Sequence, residues 1–501
     1  MKRFFQLLAV GLLLAAGGCW AQDTALRLQD LDGKRIAVLT GSAGDHAARK
    51  HFPAAHFVEM NTSADAALAL AAGKVDAYVY DRSVLFNLVA RNPQLQVIEQ
   101  AIASLDVAAA MHKDSAALQA EVDKVLTALE QEGELQRLRA KWIDSHYTTP
   151  PPMSDFENAG QGRVLRVGTS GQHEPFTFYV HGKLAGLDIE LMQLIGQRLG
   201  RPVEIVDYNF EALIPALQAK KIDLAISNFN VTQERKKLIR YSRPFHGNEI
   251  SVLVRAPLPV VAAEPGVLSG WLRGVAASFH SNILVENRYL LIWDGLKTTV
   301  IISVLSTLLG TLLGGAICFM RMSARRLLNL PARLYIAVLR GTPVLVLLML
   351  IFYVVFASVS IDPVLVAVIA FGMNFAAYSA EIFRTGIQGV DKGQMEAGIA
   401  LGFTRVSTFV NVVLPQALHR ILPVFKGEFI SLVKMTSIVG YIAVQDLTKA
   451  SDIIRSRTFD AFFPLVMIAI LYFLISWVLL QSLEYLERVT DPKYRRKAGH
   501  A

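Results

Sequence analysis

The spacing that most suggests a task lies late in the chain. Glu396-Ala397-Gly398-Ile399-Ala400-Leu401-Gly402 is followed, ten residues on, by Val412-Val413-Leu414-Pro415. A short helix bearing Ala397, Gly398 and Ala400 has little side-chain bulk and can press closely into a groove on a partner. Gly402 permits the turn after it, and Pro415 interrupts the next helix. This is the chemistry of docking. No G-x-x-x-x-G-K-[ST] phosphate loop occurs, so the chain is not a nucleotide-driven motor by itself. The two cysteines, Cys19 and Cys318, make neither a disulfide framework nor a metal site, and Cys318 reads as a small buried apolar residue. Asn374, Tyr378, Glu381 and Lys434 are polar groups in or near apolar runs. Such groups face a pathway or a partner helix, although Glu381 and Lys434 also suit interfaces. Nothing here reads as a catalytic constellation.

The elements that position these residues begin with the membrane. With 501 residues, 53% hydrophobic and 18% charged, the chain is too long and too apolar for one soluble domain. Apolar runs near 298–320, 341–359, 364–383, 421–444 and 461–483 predict about five transmembrane helices, the fourth carrying Lys426, Glu428 and Lys434. A net charge of +8 suggests nucleic acid at first sight. The basic residues, however, follow the first run (Arg321, Arg325, Arg326, Arg333) and the last (Arg488, Lys493, Arg495, Arg496, Lys497), as cytoplasmic loops require. A lipid bilayer is therefore expected as partner and nucleic acid is not. Residues 1–21 read as an export signal, with Lys2 and Arg3 before an apolar core from Phe4 to Ala16. Cleavage after Ala21 is favoured over acylation at Cys19. Either route delivers the soluble part of the chain outside the cytoplasm, and five crossings then return the C-terminus to the inside.

Two soluble blocks precede the membrane part. Residues 24–149 read as α/β: a strand at Lys34–Leu39, a small-residue turn with Ser42, a helix opening near Asp45, a strand at Val75–Tyr80, and helical spacing over 115–142. Ser145–Gly162 is a linker. Residues 163–256 repeat the theme, with strands at Val164–Gly168, Val203–Val206 and Ile222–Ile226 and helices at Leu187–Leu199 and Phe210–Lys220. Residues 257–297 join this part to the membrane domain, 298–488. The fold class expected is an α/β two-lobed unit followed by an all-α membrane domain.

The docking stretch resembles the E-A-A loop of ATP-binding-cassette import permeases, with Gly398 in place of the second Ala and Val412 in place of Ile. Ala377–Ile387, Lys392-Gly393-Gln394 and Arg340-Gly341-Thr342-Pro343 are similar to the polar-amino-acid branch, the resemblance covering about 290–488. It implies that Glu396, Ala397, Gly398, Gly402, Leu414 and Pro415 form the coupling surface for a separate cytoplasmic ATPase, which would hold ATP and Mg. It also implies a second permease subunit, identical or similar. Residues 164–256 resemble the first lobe of periplasmic amino-acid-binding proteins through Val167-Gly168-Thr169, Glu174-Pro175-Phe176, Gly186–Leu191, Val231–Arg235 and Tyr241–Phe245. The family's second-lobe opening, Leu31–Ser42 here, and its closing helices, 107–143 here, lie upstream. Circular permutation accounts for this order, because it costs only the closure of the 145–162 linker. Two half-modules paired across a dimer are the rival.

The resemblance implies a free amino acid as ligand. Arg235 matches the carboxylate clamp, and Asp81 the acceptor of the ammonium. Asn228 and Asn230 stand where the family has Gly or a hydroxyl residue, Phe210 and His173 match aromatic positions around the side chain, and Ser42 lies on the facing turn. Ser170 stands where binders of basic amino acids carry Asp. The residues alone allow duller roles: a solvated Arg235, Asp81 as a helix cap, Asn228 and Asn230 as turn residues, and His173 as a surface imidazole. A ligand-gated channel or a membrane sensor could use the same module, but no filter or kinase segment is present.

Overall fold

The computed structural model describes residues 27–490 apart from 61, 146, 148, 156–159, 257–273, 358, 360, 459 and 461. The export signal, Cys19 and the basic tail from Lys493 lie outside the described residues.

Two sheets form two lobes. The second lobe holds β1 (Arg35–Leu39), β2 (His56–Met60), β3 (Ala77–Asp81), β4 (Leu95–Val97), β5 (Ala103–Val107) and β14 (His246–Arg255), in the order β2-β1-β3-β14-β4 with β5 also on β14. Here β1 pairs in parallel with β2 and β3, so both faces must be covered. α1 (Ala43–His51) and α2 (Ser63–Ala71) cover them, opened by Ser42 and Thr62, whose hydroxyls accept the amides of Asp45 and Asp65. α3 (Arg82–Arg91) follows β3 directly.

The first lobe has the order β11-β7-β12-β6-β13, made of β6 (Ala110–Met111), β7 (Leu165–Thr169), β11 (Val203–Asp207), β12 (Leu224–Ala225) and β13 (Arg240–Tyr241). Beside it lies a small antiparallel sheet, β8 (Gln172–His173), β9 (Thr177–Val180) and β10 (Lys183–Ala185). α4 (Ala116–Gln131) and α5 (Glu134–Arg139) pack against α6 (Leu187–Leu199) of this lobe, and α7 (Leu213–Gln218) lies against β7 and β12. α6 ends as expected at Gly200, whose φ of +63° suits glycine.

Two boundaries differ from the sequence reading. β14, inside the 164–256 block that resembles the first lobe, is a central strand of the second. Antiparallel pairing with β3, β4 and β5 buries Ile250, Val252, Leu253 and Val254 completely. At ~1.5–3 kcal/mol per buried aliphatic side chain, releasing them would be costly. Likewise β6, from the upstream block, inserts between β12 and β13. The chain thus crosses between lobes twice, and the crossings are bonded to each other: the Ser242 amide donates to the Ala109 carbonyl at 2.9 Å and the Ala109 amide to Ser242 Oγ at 3.1 Å. Both ends of the 145–162 linker lie on the first lobe. Trp142, 1% exposed, donates to the buried Glu190 at 2.6 Å just before it, and β7 begins just after. Each of the two main sheets draws strands from both blocks of this one chain, as circular permutation requires.

The membrane domain has α9 (Tyr289–Met322), α10 (Arg326–Gly341), α11 (Val344–Leu350), α12 (Pro363–Gln388), α13 (Lys392–Ala400), α14 (Arg405–Thr408), α15 (Leu414–Met435), α16 (Leu447–Thr458) and α17 (Phe462–Thr490). Among the described residues three helices are long and apolar enough to cross a bilayer, or up to five if each of two bent pairs is one span. The second expected span, 341–359, is one of these pairs. Arg326–Gly341 meets Val344–Val355 at 110°, because Pro343 blocks continuation of the first helix. The first span starts at Tyr289, inside what reads as linker. α9 and α12 approach closely through small residues: a Cβ on Gly310 would lie 2.8 Å from the Gly372 carbonyl, and one on Gly314 2.8 Å from Ser379. Asn374 donates to the Leu339 carbonyl at 3.0 Å, Arg340 lies over the Tyr378 ring at 4.8 Å, and Glu381 reaches Arg321 of α9 at 3.5 Å, so these three polar residues contact neighbouring helices.

Candidate functional site

The cleft residues come from strand ends, where side chains can leave the sheet. β3 ends on Asp81. β12 runs into Ser227–Asn230, where Asn228 turns the backbone at φ +49°. Thr232 caps α8 (Gln233–Lys236) by accepting the Arg235 amide at 3.3 Å, which sets Arg235 on the first turn. Asp81, Asn228, Asn230 and Arg235 are buried, Asp81 at 1% and Arg235 at 8% exposure, which rules out a solvated arginine.

The structure brings the expected groups together across the lobes. Asp81 of the second lobe accepts from Asn228 Nδ2 at 2.5 Å and from Asn230 Nδ2 at 3.1 Å, both of the first lobe. Arg235 donates to the Asn230 carbonyl at 3.3 Å and, across the cleft, to the Gly41 carbonyl at 3.1 Å. Its guanidinium lies 4.8 Å from the Phe229 ring centre and 5.4 Å from that of Phe210. His173 stacks on Tyr80 at 6.0 Å and meets Phe210 edge-on at 5.5 Å. Burial sets the electrostatics. It raises the Asp81 carboxyl to about 7, against the two amides and Arg235, which lower it. It lowers His173 to about 4, leaving a neutral ring hydrogen-bonded to Ser227 at 3.2 Å.

Two expected residues already have partners within the protein. Ser42 is used as the cap of α1, and Ser170 is buried with its carbonyl accepting from Thr177 and Ser227. Asp81 precedes α3 but makes no side-chain cap bond. The sequence reading missed Tyr80, Phe229, Asp188 and Asn248. Asp188, fully buried and raised to about 7 by burial, accepts the Asn228 amide at 2.7 Å, and Asn248 donates to Asn228 Oδ1 at 3.3 Å. Phe229 stands between two assigned asparagines, which was a usable signal.

The membrane domain grips this unit through α16. Arg455 pairs with Asp65 of the second lobe at 2.9 Å. Lys449 pairs with Asp207 of the first lobe at 3.3 Å, and Arg457 pairs with Glu174 of the first lobe and, at 2.6 Å, with Glu286. These three basic residues, also missed, lie between the last two apolar runs, on the side of the binding domain.

The docking loop lies at the other end of the same helices. α12 starts beside the Phe356–Val359 turn, whose carbonyls accept from Lys221 of the first lobe, and ends at the loop. α15 returns from the loop to Gly440, near Asn209. At ~1.5 Å per residue, the 26 residues of α12 separate these ends by ~39 Å. Glu396, Ala397 and Ala400 are exposed on α13. Gly398, expected to face a partner, is instead buried against this chain's own Thr408, 2.2 Å from where a Cβ would stand. Gly402 makes the turn at φ +87°. Pro415 stands where a continuous helical path changes: α14 passes through a π turn at Phe409–Val413 into α15, which opens with Leu414 and Pro415, so the α-helical ladder is interrupted just ahead of the residue that has no amide to give. Leu401, Phe403 and Val406 are exposed around the turn.

The sequence matches the bacterial extracellular solute-binding proteins, family 3, over residues 165–415. It is 32% identical over 217 residues to the probable amino-acid ABC transporter permease protein YckA of Bacillus subtilis, covering 43% of this chain and 94% of that one. It is 37% identical over 199 residues to the L-cystine transport system permease protein TcyB of the same species, covering 39% and 85%. The octopine transport system permease protein OccM of Rhizobium radiobacter is 34% identical over 229 residues, with 42% and 94% covered. A crystal structure of an amino acid ABC transporter with histidines is 35% identical, at a TM-score of 0.38, covering 46% of this chain and 99% of that one. This chain therefore belongs to the family 3 extracellular solute-binding proteins and, by its membrane half, to the amino-acid ABC transporter permeases.

Proposed function

We propose that the chain is the receptor and permease subunit of an ATP-binding-cassette importer, which captures a polar amino acid between its lobes and passes it through its own membrane domain. The observation that carries this reading is the meeting of Asp81 and Arg235, from opposite lobes, in one buried aromatic cleft. A free amino acid carries a carboxylate and an ammonium on one carbon. The guanidinium fork suits the first, and Asp81 the second, the ammonium taking bonds that the amides of Asn228 and Asn230 now make. Tyr80, neutral His173 and Phe210 would flank a side chain without adding charge, which favours an uncharged polar one.

The exposed apolar residues around Gly402 form the seat for a separate ATPase carrying ATP and Mg. A second permease subunit completes the pathway. The binding domain faces outward from the cytoplasmic membrane and the docking loop inward. Fusion keeps the receptor at high effective concentration beside its gate. The test is to purify the full-length chain from membranes and titrate it calorimetrically with an amino-acid panel. Saturable binding and a co-purifying ATPase are expected; binding without any ATPase would favour a channel or sensor and sink the importer.

Affinity should depend on pH with a definite sign. The raised pKa means that Asp81 adds stability to the folded protein below about pH 4, and that this is lost as pH rises to about 7. An ammonium on Asp81 favours the charged form, so binding expels a proton below pH 7. Affinity is expected to fall roughly tenfold or more from pH 8 to pH 5.5 in wild type. Asp81→Asn should bind weakly at both values; a flat wild-type profile would exclude Asp81 as the ammonium site.

A further inference from the structure

A cavity of about 200 Å³ lies where the cleft mouth meets the membrane domain. His173, Phe210 and Glu211 of the first lobe line one side, and Gly440, Tyr441 and Lys449 of the membrane domain the other. Drug-sized pockets start at about 300 Å³, so this one has the scale of a single small metabolite. It adjoins the cleft, because His173 and Phe210 belong to both.

We propose that this chamber is a second, transfer site for the same zwitterionic amino acid, in which Lys449 receives the carboxylate that Arg235 releases. The inference rests on the amino-acid reading above. Lys449 is the one full cation among the described lining residues, and Glu211 brings a carboxylate to the opposite wall for the ammonium, while Asp446 and Asp452, on Lys449's own segment, hold the start of α16 and Arg455. The Lys449 side chain is 2% exposed, and its amine lies 3.3 Å from Asp207, 3.0 Å from Asn209 Oδ1 and 3.4 Å from the Tyr208 carbonyl. The last two are neutral acceptors, so a carboxylate can replace them while the Asp207 pair stays intact. Parting of the lobes would break the Arg455 to Asp65 contact and leave the first lobe held by Lys449 and Arg457. The clamp would thus open over this chamber. On the membrane side, Gly440 keeps the wall low. Its φ is not in the left-handed region, and a Cβ there would meet Asn209 at an ordinary 3.5 Å, so a larger side chain fits the backbone but fills the space.

The experiment uses the full chain, reconstituted in liposomes with its ATPase, and compares Gly440→Leu, Lys449→Gln and Lys449→Arg. Gly440→Leu should cut uptake about tenfold or more, while calorimetric affinity and amino-acid-stimulated ATP hydrolysis stay near wild type. Lys449→Gln should lower uptake similarly, and Lys449→Arg should restore most of it. Wild-type uptake by Gly440→Leu would overturn the proposal. So would a loss of stimulated hydrolysis in step with uptake, which would mark broken docking, or an arginine no better than glutamine at position 449. Failure of the wild type to bind any amino acid would instead bring down the functional reading on which the chamber rests.

Discussion

Replacing Arg235 with alanine is expected to weaken amino-acid binding by two to three orders of magnitude, about 3–4 kcal/mol, with the fold intact. The size follows from burial. A carboxylate brought into the aromatic cleft loses its water and needs the guanidinium to compensate, so truncation leaves it without its countercharge. Folding should survive because the partners of Arg235 are not stranded. The Asn230 carbonyl also accepts from Tyr241 at 3.2 Å, and the Gly41 carbonyl can find other donors at the cleft edge. Arg235→Lys should recover only part of the loss, since a point charge cannot engage both oxygens. Calorimetry on the full chain, with thermal unfolding as control, checks this; near-normal affinity in the alanine variant would remove the clamp.

The second large effect is at the opposite end of the molecule. Gly398→Ala places a Cβ 2.2 Å from Thr408 Cγ2 and 2.7 Å from its Oγ1, distances that side-chain carbons do not tolerate. Thr408 is buried and cannot yield, so α13 must lift away from α14 at a cost of ~1–3 kcal/mol, and the exposed rim with Leu401 and Phe403 moves with it. Uptake and ATPase co-purification should fall about tenfold or more, while amino-acid affinity stays unchanged. Removing the obstruction tests the cause. With Thr408→Ala in the same chain, only the 3.1 Å contact to Cβ is left, and coupling should largely return. If the double variant is as defective as the single one, packing inside the loop is not why Gly398 is glycine.

Much of this was legible in the order of residues. Asp81 and Arg235 stand at strand and helix ends that period and capping chemistry locate: an apolar run ending at Tyr80, and Thr232 three residues before Arg235. The five-run hydropathy pattern and the small residues of α13 are equally local. What failed were inferences that needed to know a neighbour. Gly398 was small for a partner in the reading and is small for Thr408 in the fold.

The sequence by itself located β1, β3, β7, β11 and β12, the longer helices and the apolar runs, because period and length are carried by consecutive residues. It also contains no G-x-x-x-x-G-K-[ST] pattern. Only the tertiary structure decided that β14 returns to the second lobe, that Tyr80, Phe229, Asp188 and Asn248 surround the assigned pair, and that α16 holds both lobes over a chamber. Each depends on contacts between residues far apart in the chain. Val254 on Ala77 and Arg455 on Asp65 meet because burial and charge pairing favour it, and no local pattern encodes such a meeting.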